Sequence, residues 1–417
     1  MEGSVLMNQS TQNNHLPTVP AQNGTVAEDR SVVVDMFCGA GGESQGIARA
    51  AEKAGVQFKA YAINHWHRAI ETHRENFPDS EHICRDVQDI NPSDIVPGGH
   101  VSLLWGSPEC TQHSPARGGK PCNDQKRVTP FTILDWLNKL TVDRVIIENV
   151  KEFRSWGPLD PVTKRPDPNR KGEIFEAYLT MIRGLGYTVD HKVLNAADFG
   201  APTSRHRLFI QAVRDGCGKS ILWPEPTHAA LTKNNTLTEM RPWVTAREII
   251  DWSQPSESIY SRSRPLAERT MKRIREGLAR FGGAEFLVCM EHGGRVVSAD
   301  APVPTITTAR GGAIGLVEPF IVSYNGNGQP YPLSAPLPTI TTRDRFALVE
   351  PQNNGIDIRF RMLKPHELAA AQSFPKDYIF TGTREDVVRQ IGNAVCPKIA
   401  EALTSGYMQE LAAGCSA

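Results

Sequence analysis

Short apolar runs, each closed by a turn, set the rhythm of the first half of the chain. Ser31-Val32-Val33-Val34-Asp35-Met36-Phe37, Phe58-Lys59-Ala60-Tyr61-Ala62-Ile63, Val101-Ser102-Leu103-Leu104-Trp105 and Asp143-Arg144-Val145-Ile146-Ile147 are apolar enough to be buried strands. Helical patterns stand at 47–54, 131–140 and 173–185, and a further strand at 188–194. Strands alternating with helices predict an α/β fold, a mostly parallel sheet with helices on both faces. The C-terminal segment is expected to fold back and complete it. Its helix around 397–403 should lie beside the first glycine turn, with Asn393 near Gly39. Residues 1–30, rich in Gln, Asn, Ser and Thr, bury too little apolar surface to offset ordering entropy and are expected to be a flexible tail.

Ligands bind along the carboxyl edge of such a sheet, so the residues just after each run are the candidates. The first run empties into Cys38-Gly39-Ala40-Gly41-Gly42-Glu43-Ser44-Gln45-Gly46 and then a helix. Glycines let backbone approach a ligand, and the helix start offers free N–H groups. Ser44 stands where G-x-G-x-x-G needs its last glycine, which argues against a pyrophosphate-binding dinucleotide site. The second run ends in Asn64-His65-Trp66, where sheets of this kind usually place an acidic group for a ribose. Asn64 can hydrogen-bond without charge. Trp66 or His65 could stack on an adenine, or the tryptophan could lie beneath a surface loop. Asp86-Val87 closes another strand with an acceptor suited to an exocyclic amine.

After the third run, Gly106-Ser107-Pro108-Glu109-Cys110-Thr111 holds one cysteine in a rigid turn, either a half-buried thiol or a nucleophile. Glu148-Asn149-Val150 puts a glutamate at the same edge, an acid able to protonate a base or a helix-capping carboxylate. Arg205 and Arg207, at i and i+2 on a strand, share a face and suit a carbonyl or phosphate oxygen.

The chain has 417 residues, room for a large core and two domains. Lys+Arg and Asp+Glu both total 46, so any nucleic-acid surface must be local. The eight cysteines form no C-x-x-C pair, and neither a metal site nor a disulfide framework is expected. No apolar run reaches membrane-spanning length; no signal peptide and a cytoplasmic chain without membrane contact are expected.

Taken in order, Phe37-x-Gly39-x-Gly41-Gly42, Pro108-x-Cys110, Glu148-Asn149-Val150 and Arg205-x-Arg207 resemble the DNA cytosine-5 methyltransferase family. Arg359-Phe360-Arg361-Met362-Leu363, Gln372-Ser373-Phe374-Pro375 and Gln390-Ile391-Gly392-Asn393-Ala394-Val395 extend the resemblance toward the C-terminus. It implies a Rossmann-like, S-adenosylmethionine-dependent methyltransferase domain with a smaller β-rich target-recognition domain. It assigns Cys110 as the nucleophile toward C6 of a flipped-out cytosine, and Glu148 to N3 and the exocyclic amine. Arg207, with Arg205 near it, would serve the carbonyl oxygen and the loop. Phe37, Gly39, Gly41, Asn64, His65, Trp66, Asp86, Val87, Asn393 and Val395 would hold the methyl donor, without a metal. The chain departs from the family pattern at Glu109 (usually Pro), Thr111 (usually Gln) and Asn64 (usually Glu). The expected partner is double-stranded DNA, bound by a monomer; a cognate restriction endonuclease stays open. A DNA-binding relative with weak catalysis and a methyltransferase acting on RNA are the other readings.

Residues 31–215 and 358–417 would form the catalytic domain, and 216–357 the recognition region. Within the latter, 261–280 carries seven basic residues (262, 264, 269, 272, 273, 275, 280) against two acidic (268, 276). It is either a solvated helix face or a phosphate-contacting one. Ala301-Pro302-Val303-Pro304-Thr305-Ile306-Thr307-Thr308 recurs as Ala335-Pro336-Leu337-Pro338-Thr339-Ile340-Thr341-Thr342, and Val317-Glu318-Pro319 as Val349-Glu350-Pro351. Arg310 follows the first copy, Arg343 and Arg345 the second; these loops could read guanine edges, or the repeat could be architectural.

Overall fold

The valine-rich strand β1 (Ser31–Met36) runs through the middle of a seven-stranded sheet in a computed structural model. The structure describes residues 31–108, 129–230, 240–260, 262–281, 284–290, 294–308, 313–318, 320–323, 330–332, 346–347 and 358–414. The expected tail, the Glu109-Cys110-Thr111 turn, Arg310, Arg343, Arg345 and the second repeat copy lie outside the described residues.

The remaining strands are β2 (Phe58–Ile63), β3 (Glu81–Ile83), β4 (His100–Gly106), β5 (Thr141–Asn149), β6 (Tyr187–Asn195) and β7 (His206–Arg214). They lie in the order β3-β2-β1-β4-β5-β7-β6. The first five are parallel, and β7 runs antiparallel between β5 and β6. The chain winds outward from β1 through β2 and β3, then crosses back to β4 on the other side of β1. The carboxyl ends of β1 and β4 therefore flank the switch point, where open α/β sheets bind ligands.

Alternation along the strands separates two apolar layers. Val34, Leu104, Val145 and Ile147 face Ile133 and Trp136 of α4 (Phe131–Lys139) and Tyr178 and Ile182 of α5 (Glu173–Gly184). Val33, Leu103, Trp105 and Ile146 face Ile47 of α1 (Gly42–Ala54) and Ile399, Leu403 and Tyr407 of α9 (Pro397–Gly414). Between them in sequence come α2 (His67–Asn76), the single turn α3 (Pro92–Ile95), α6 (Glu268–Phe281), α7 (Pro365–Ala371) and α8 (Arg384–Asn393). Among the described residues no helix is long and apolar enough to cross a membrane.

The last helix packs where the sequence places it. A Cβ on Gly46 of α1 would lie 2.5 Å from the Ala400 methyl and 2.6 Å from the Pro397 carbonyl oxygen. One on Gly42 would lie 2.1 Å from the Val395 carbonyl oxygen. Residues 394–395 are thus clamped onto the glycine turn. Gly46→Ala is expected to lower the unfolding free energy by about 1–3 kcal/mol through overpacking, measured by urea denaturation.

A second, antiparallel sheet orders its strands Glu257–Ser258, Arg359–Met362, Ile314–Glu318, Phe286–Cys289 and Val296–Ser298. Its one face, Leu287, Ile314 and Leu316, packs on Ala246, Ile250, Leu368 of α7 and Val388 and Ile391 of α8. The other, Phe286, Val288, Val317 and Phe360, packs on Ile274 of α6. The mostly parallel sheet with a smaller β-rich unit is the expected fold class. The first repeat copy is architectural over its described length. Val303 and the 202–204 segment exchange backbone hydrogen bonds at 2.8 Å, and the Thr307 carbonyl carbon would meet a Cβ on Gly392 at 2.7 Å.

Candidate active site

The glycine turn is held from three directions. The Cys38 N–H donates to the Ile63 carbonyl at 3.1 Å, fastening the turn to the end of β2. The Tyr378 hydroxyl donates to the Ala40 carbonyl. A Cβ on Gly41 (φ 82°) would sit 2.7 Å from the Phe77 ring and 2.8 Å from the Tyr378 hydroxyl, so only glycine fits. Phe37 takes a left-handed conformation (φ 65°), a backbone cost that bulky residues rarely carry outside a fixed site. Around Gly39 the nearest heavy atom to an added Cβ is 3.8 Å away, leaving its Cα open to an approaching group.

Beneath the turn lies a buried polar chain. The Ser44 hydroxyl donates to Asp35 Oδ2 at 2.5 Å, His73 Nε2 lies 2.9 Å from the same hydroxyl, and His73 Nδ1 lies 2.9 Å from His82 Nε2. Burial pushes His73 down to about 3, so the ring is neutral at ordinary pH. Burial pushes Asp35 up to about 7 against the opposing Ser44 hydrogen bond. Burial and the charge of Asp35, with a smaller contribution from Glu148, push Glu43 up as well. An acid whose folded pKa lies above its unfolded 3.8 favours folding below that value, and the benefit is lost as pH rises through about 7. Between pH 5 and 8 Asp35 therefore lowers the unfolding free energy, while the depressed His73 raises it up to about pH 6.5. Asp35→Asn removes the falling part and is expected to gain stability relative to wild type as pH rises, by a few kcal/mol at most. Urea titrations at the two pH values measure it.

The residues after β2 and β3 divide their labour. Asn64 is buried, and its side-chain oxygen accepts from the Trp66 N–H at 2.8 Å, closing the loop that starts α2. The Arg389 guanidinium lies 4.4 Å from the Trp66 ring centroid, so one face of the indole is covered. His65 is the exposed member of the three. Asp86 caps the short turn Val87–Asp89 by accepting from the Gln88 N–H at 3.1 Å, and Val87 is buried behind it. Beside Val87 opens a hollow of about 330 Å³, lined by Val87, Gln88, Phe131, Thr132, Asp135 and Trp136. Sequence reasoning missed the α4 residues of this hollow. The available signal was that α4 opens right after the β4 loop, at the same sheet edge. Asn393 is exposed at the end of α8, while Val395 is buried with its carbonyl against Gly42.

The ends of β4, β5 and β7 converge next to the turn. The Ser107 N–H donates to the Met36 carbonyl at 3.1 Å, and the Trp105 indole N–H donates to the Ser107 hydroxyl at 3.0 Å. The Asn149 amide donates to the Pro108 carbonyl at 3.2 Å. This anchors the backbone two residues before Cys110. Glu148 is 7 % exposed, and Arg207 Nε lies 3.0 Å from its Oε1. Arg205, 3 % exposed, is turned elsewhere. It donates to the carbonyls of Gly392 at 3.1 Å and Ile306 at 3.5 Å, joining β7 to α8 and the first repeat copy. The two arginines do not act as a pair because Arg205 precedes β7 and Arg207 lies within it. Met36, Gly106 and Ile147 are in register across β1, β4 and β5, so Glu148 stands at the same strand ends from which the glycine turn departs.

Residues 32–408 match the family model of the C-5 cytosine-specific DNA methylases. The chain belongs to this family. As a member it is a DNA cytosine-5 methyltransferase, and S-adenosylmethionine is the methyl donor that this class uses. The Type II methyltransferase M.SacI of Streptomyces achromogenes is 24 % identical, with 91 % of this chain and 93 % of that protein covered. M1.HphI of Haemophilus parahaemolyticus is 27 % identical over 90 % and 86 % of the two chains. Among solved structures, the S. pombe Dnmt2 methyltransferase superposes with a TM-score of 0.55 at 15 % identity, covering 92 % of this chain and 99 % of that one. A putative DNA modification methyltransferase encoded within an E. coli prophage gives 0.53 at 19 % identity over 91 % and 99 %. At such identities these two share the fold.

Proposed function

We propose that the methyltransferase acts on a cytosine flipped out of duplex DNA through a covalent bond from Cys110 Sγ to C6. The observation that carries this is the buried Glu148–Arg207 ion pair, at the strand ends beside both the glycine turn and the anchored Ser107-Pro108 segment. A base stacked in a duplex cannot reach an edge of this kind, so extrusion is required.

The residues present fit the methyl donor. The glycine turn supplies backbone N–H groups and an open approach at Gly39. Asp86 offers a carboxylate for an exocyclic amine, Val87 and Phe131 an apolar wall, and His65 and Asn393 are exposed polar groups at the same edge. When bound, S-adenosylmethionine supplies an electrophilic methyl group. The protein's part is then as follows. Cys110 Sγ bonds to C6 as its thiol proton passes by way of the Glu148 carboxylate to N3, and Arg207 hydrogen-bonds the carbonyl oxygen, which makes C5 nucleophilic. Once C5 carries the methyl group, with the spent donor a neutral thioether, a base removes the C5 proton, N3 returns its proton through Glu148 to the departing Cys110 sulfur, and the Cys110–C6 bond breaks to restore the ring. Arg205 serves as a tie from the start of β7 to α8 and the first repeat copy, and residues 216–357 as the target-recognition region.

The names of the relatives support a place beside a restriction endonuclease of the same specificity. Transfer of labelled methyl from S-adenosylmethionine to mixed-sequence duplex DNA, with bisulfite sequencing of the product, reads activity, base and site together. Absence of label in every duplex, with label entering RNA instead, would move the reading to RNA.

A further inference from the structure

The chemistry leaves α6 unused. Its apolar side is already filled: Ile274 and Gly277 are buried, and a Cβ on Gly277 would lie 2.0 Å from the Phe286 ring. The outer side is a basic stripe that includes the exposed Arg269, Lys272 and Arg280. Lys272 meets Glu276 only at 4.0 Å, and Arg275 is answered by Glu268 at 3.0 Å. No carboxylate answers Arg269 or Arg280 among the described residues. On the catalytic sheet's side some exposed bases are matched, Lys59 by Glu81, Arg68 by Glu71, Lys139 by Asp135 and Arg170 by Glu173, and others such as Lys151, Arg154 and Arg183 are not, among the described residues. What sets α6 apart is the number of bases gathered on one helix. In a chain of zero net charge, this concentration is local.

Arg269 to Arg280 spans about 16 Å at the rise of an α-helix. Duplex DNA carries one charge per about 1.7 Å of axis, so the stripe can lie against several phosphates. With the apolar side buried, recognition there runs through charge alone. The placement matters as much as the charge. α6 covers the face of the second sheet opposite the one that packs on α7 and α8, and α8 leads into the clamp on the glycine turn. The stripe is therefore separated from the active site by a whole sheet.

We propose that the outer face of α6 is a second, sequence-independent DNA contact, taken up by duplex beyond the target segment. It rests on the reading of duplex DNA as substrate. The test uses the full chain and its Arg269→Gln/Lys272→Gln/Arg280→Gln variant on duplexes of about 14 and about 60 base pairs, each with one unmethylated target site; at about 10 base pairs per turn only the longer extends far past the target. On the long duplex the variant should show a raised KM for DNA, unchanged kcat and a salt dependence shallower by up to about three. On the short duplex the two proteins should match. Equal KM on both lengths, or an equal rise on both, overturns the proposal; matching thermal melts exclude a folding defect. If wild type methylates neither duplex, the DNA reading itself fails and the proposal falls with it.

Discussion

Cys110→Ala is expected to abolish methyl transfer, by on the order of 10⁴-fold or more, while leaving the fold and donor binding intact. The magnitude follows from the role. Cytosine C5 is a poor nucleophile until a group adds to C6, and the backbone leading to Cys110 is tied to this edge as far as Pro108. Pro108 is fixed through the Asn149 amide, and Ser107 through Met36 and Trp105. A duplex with 5-fluorocytosine at the target should trap the wild-type protein as a covalent adduct, since fluorine cannot leave as the C5 proton does. The alanine variant should form none. Adduct formation by the variant would assign the nucleophile elsewhere. The adjacent Glu109 gives a second handle. A neighbouring carboxylate disfavours the thiolate, so Glu109→Gln should move the acidic limb of the pH–rate profile to lower pH.

The catalytic sheet was legible at its centre because β1, β4 and β5 are buried on both faces and write themselves as largely apolar runs. Val33 and Val34 then separate onto opposite layers by the pleat alone. The turn sequences were legible for a similar reason, since Gly41 and Gly46 are demanded by contacts that admit no Cβ. Side-chain direction was not. Two arginines at i and i+2 share a face only if both lie in the strand, and Arg205 lies just outside it, held by the Gly392 carbonyl. Asn64 likewise looked like a ligand group, yet its oxygen serves the Trp66 N–H. The hollow beside Val87 depends on α4 folding over the ends of distant strands, and no local pattern carries that information. The Asp35-to-His82 chain joins β1, α1, α2 and β3, and its partners are set by packing rather than spacing.

Glu148→Gln should lower kcat by about 10²–10⁴-fold with little change in KM for DNA, because an amide can accept from Arg207 but cannot protonate N3. Arg207→Ala should differ in kind. Glu148 is buried beside Arg207 Nε at 3.0 Å, and removing the guanidinium leaves that carboxylate without its counter-charge. Breaking such a pair costs up to about 3–5 kcal/mol when fully buried; the partly exposed Arg207 places this one at or below the low end. Stability and activity should therefore fall together in Arg207→Ala, and activity alone in Glu148→Gln. Combining the two changes should recover much of the lost stability, since no buried charge then remains, but none of the activity. Urea denaturation and single-turnover methyl transfer on the three variants separate these outcomes. A Glu148→Gln variant within tenfold of wild type would remove Glu148 from the proton step and leave it the structural partner of Arg207.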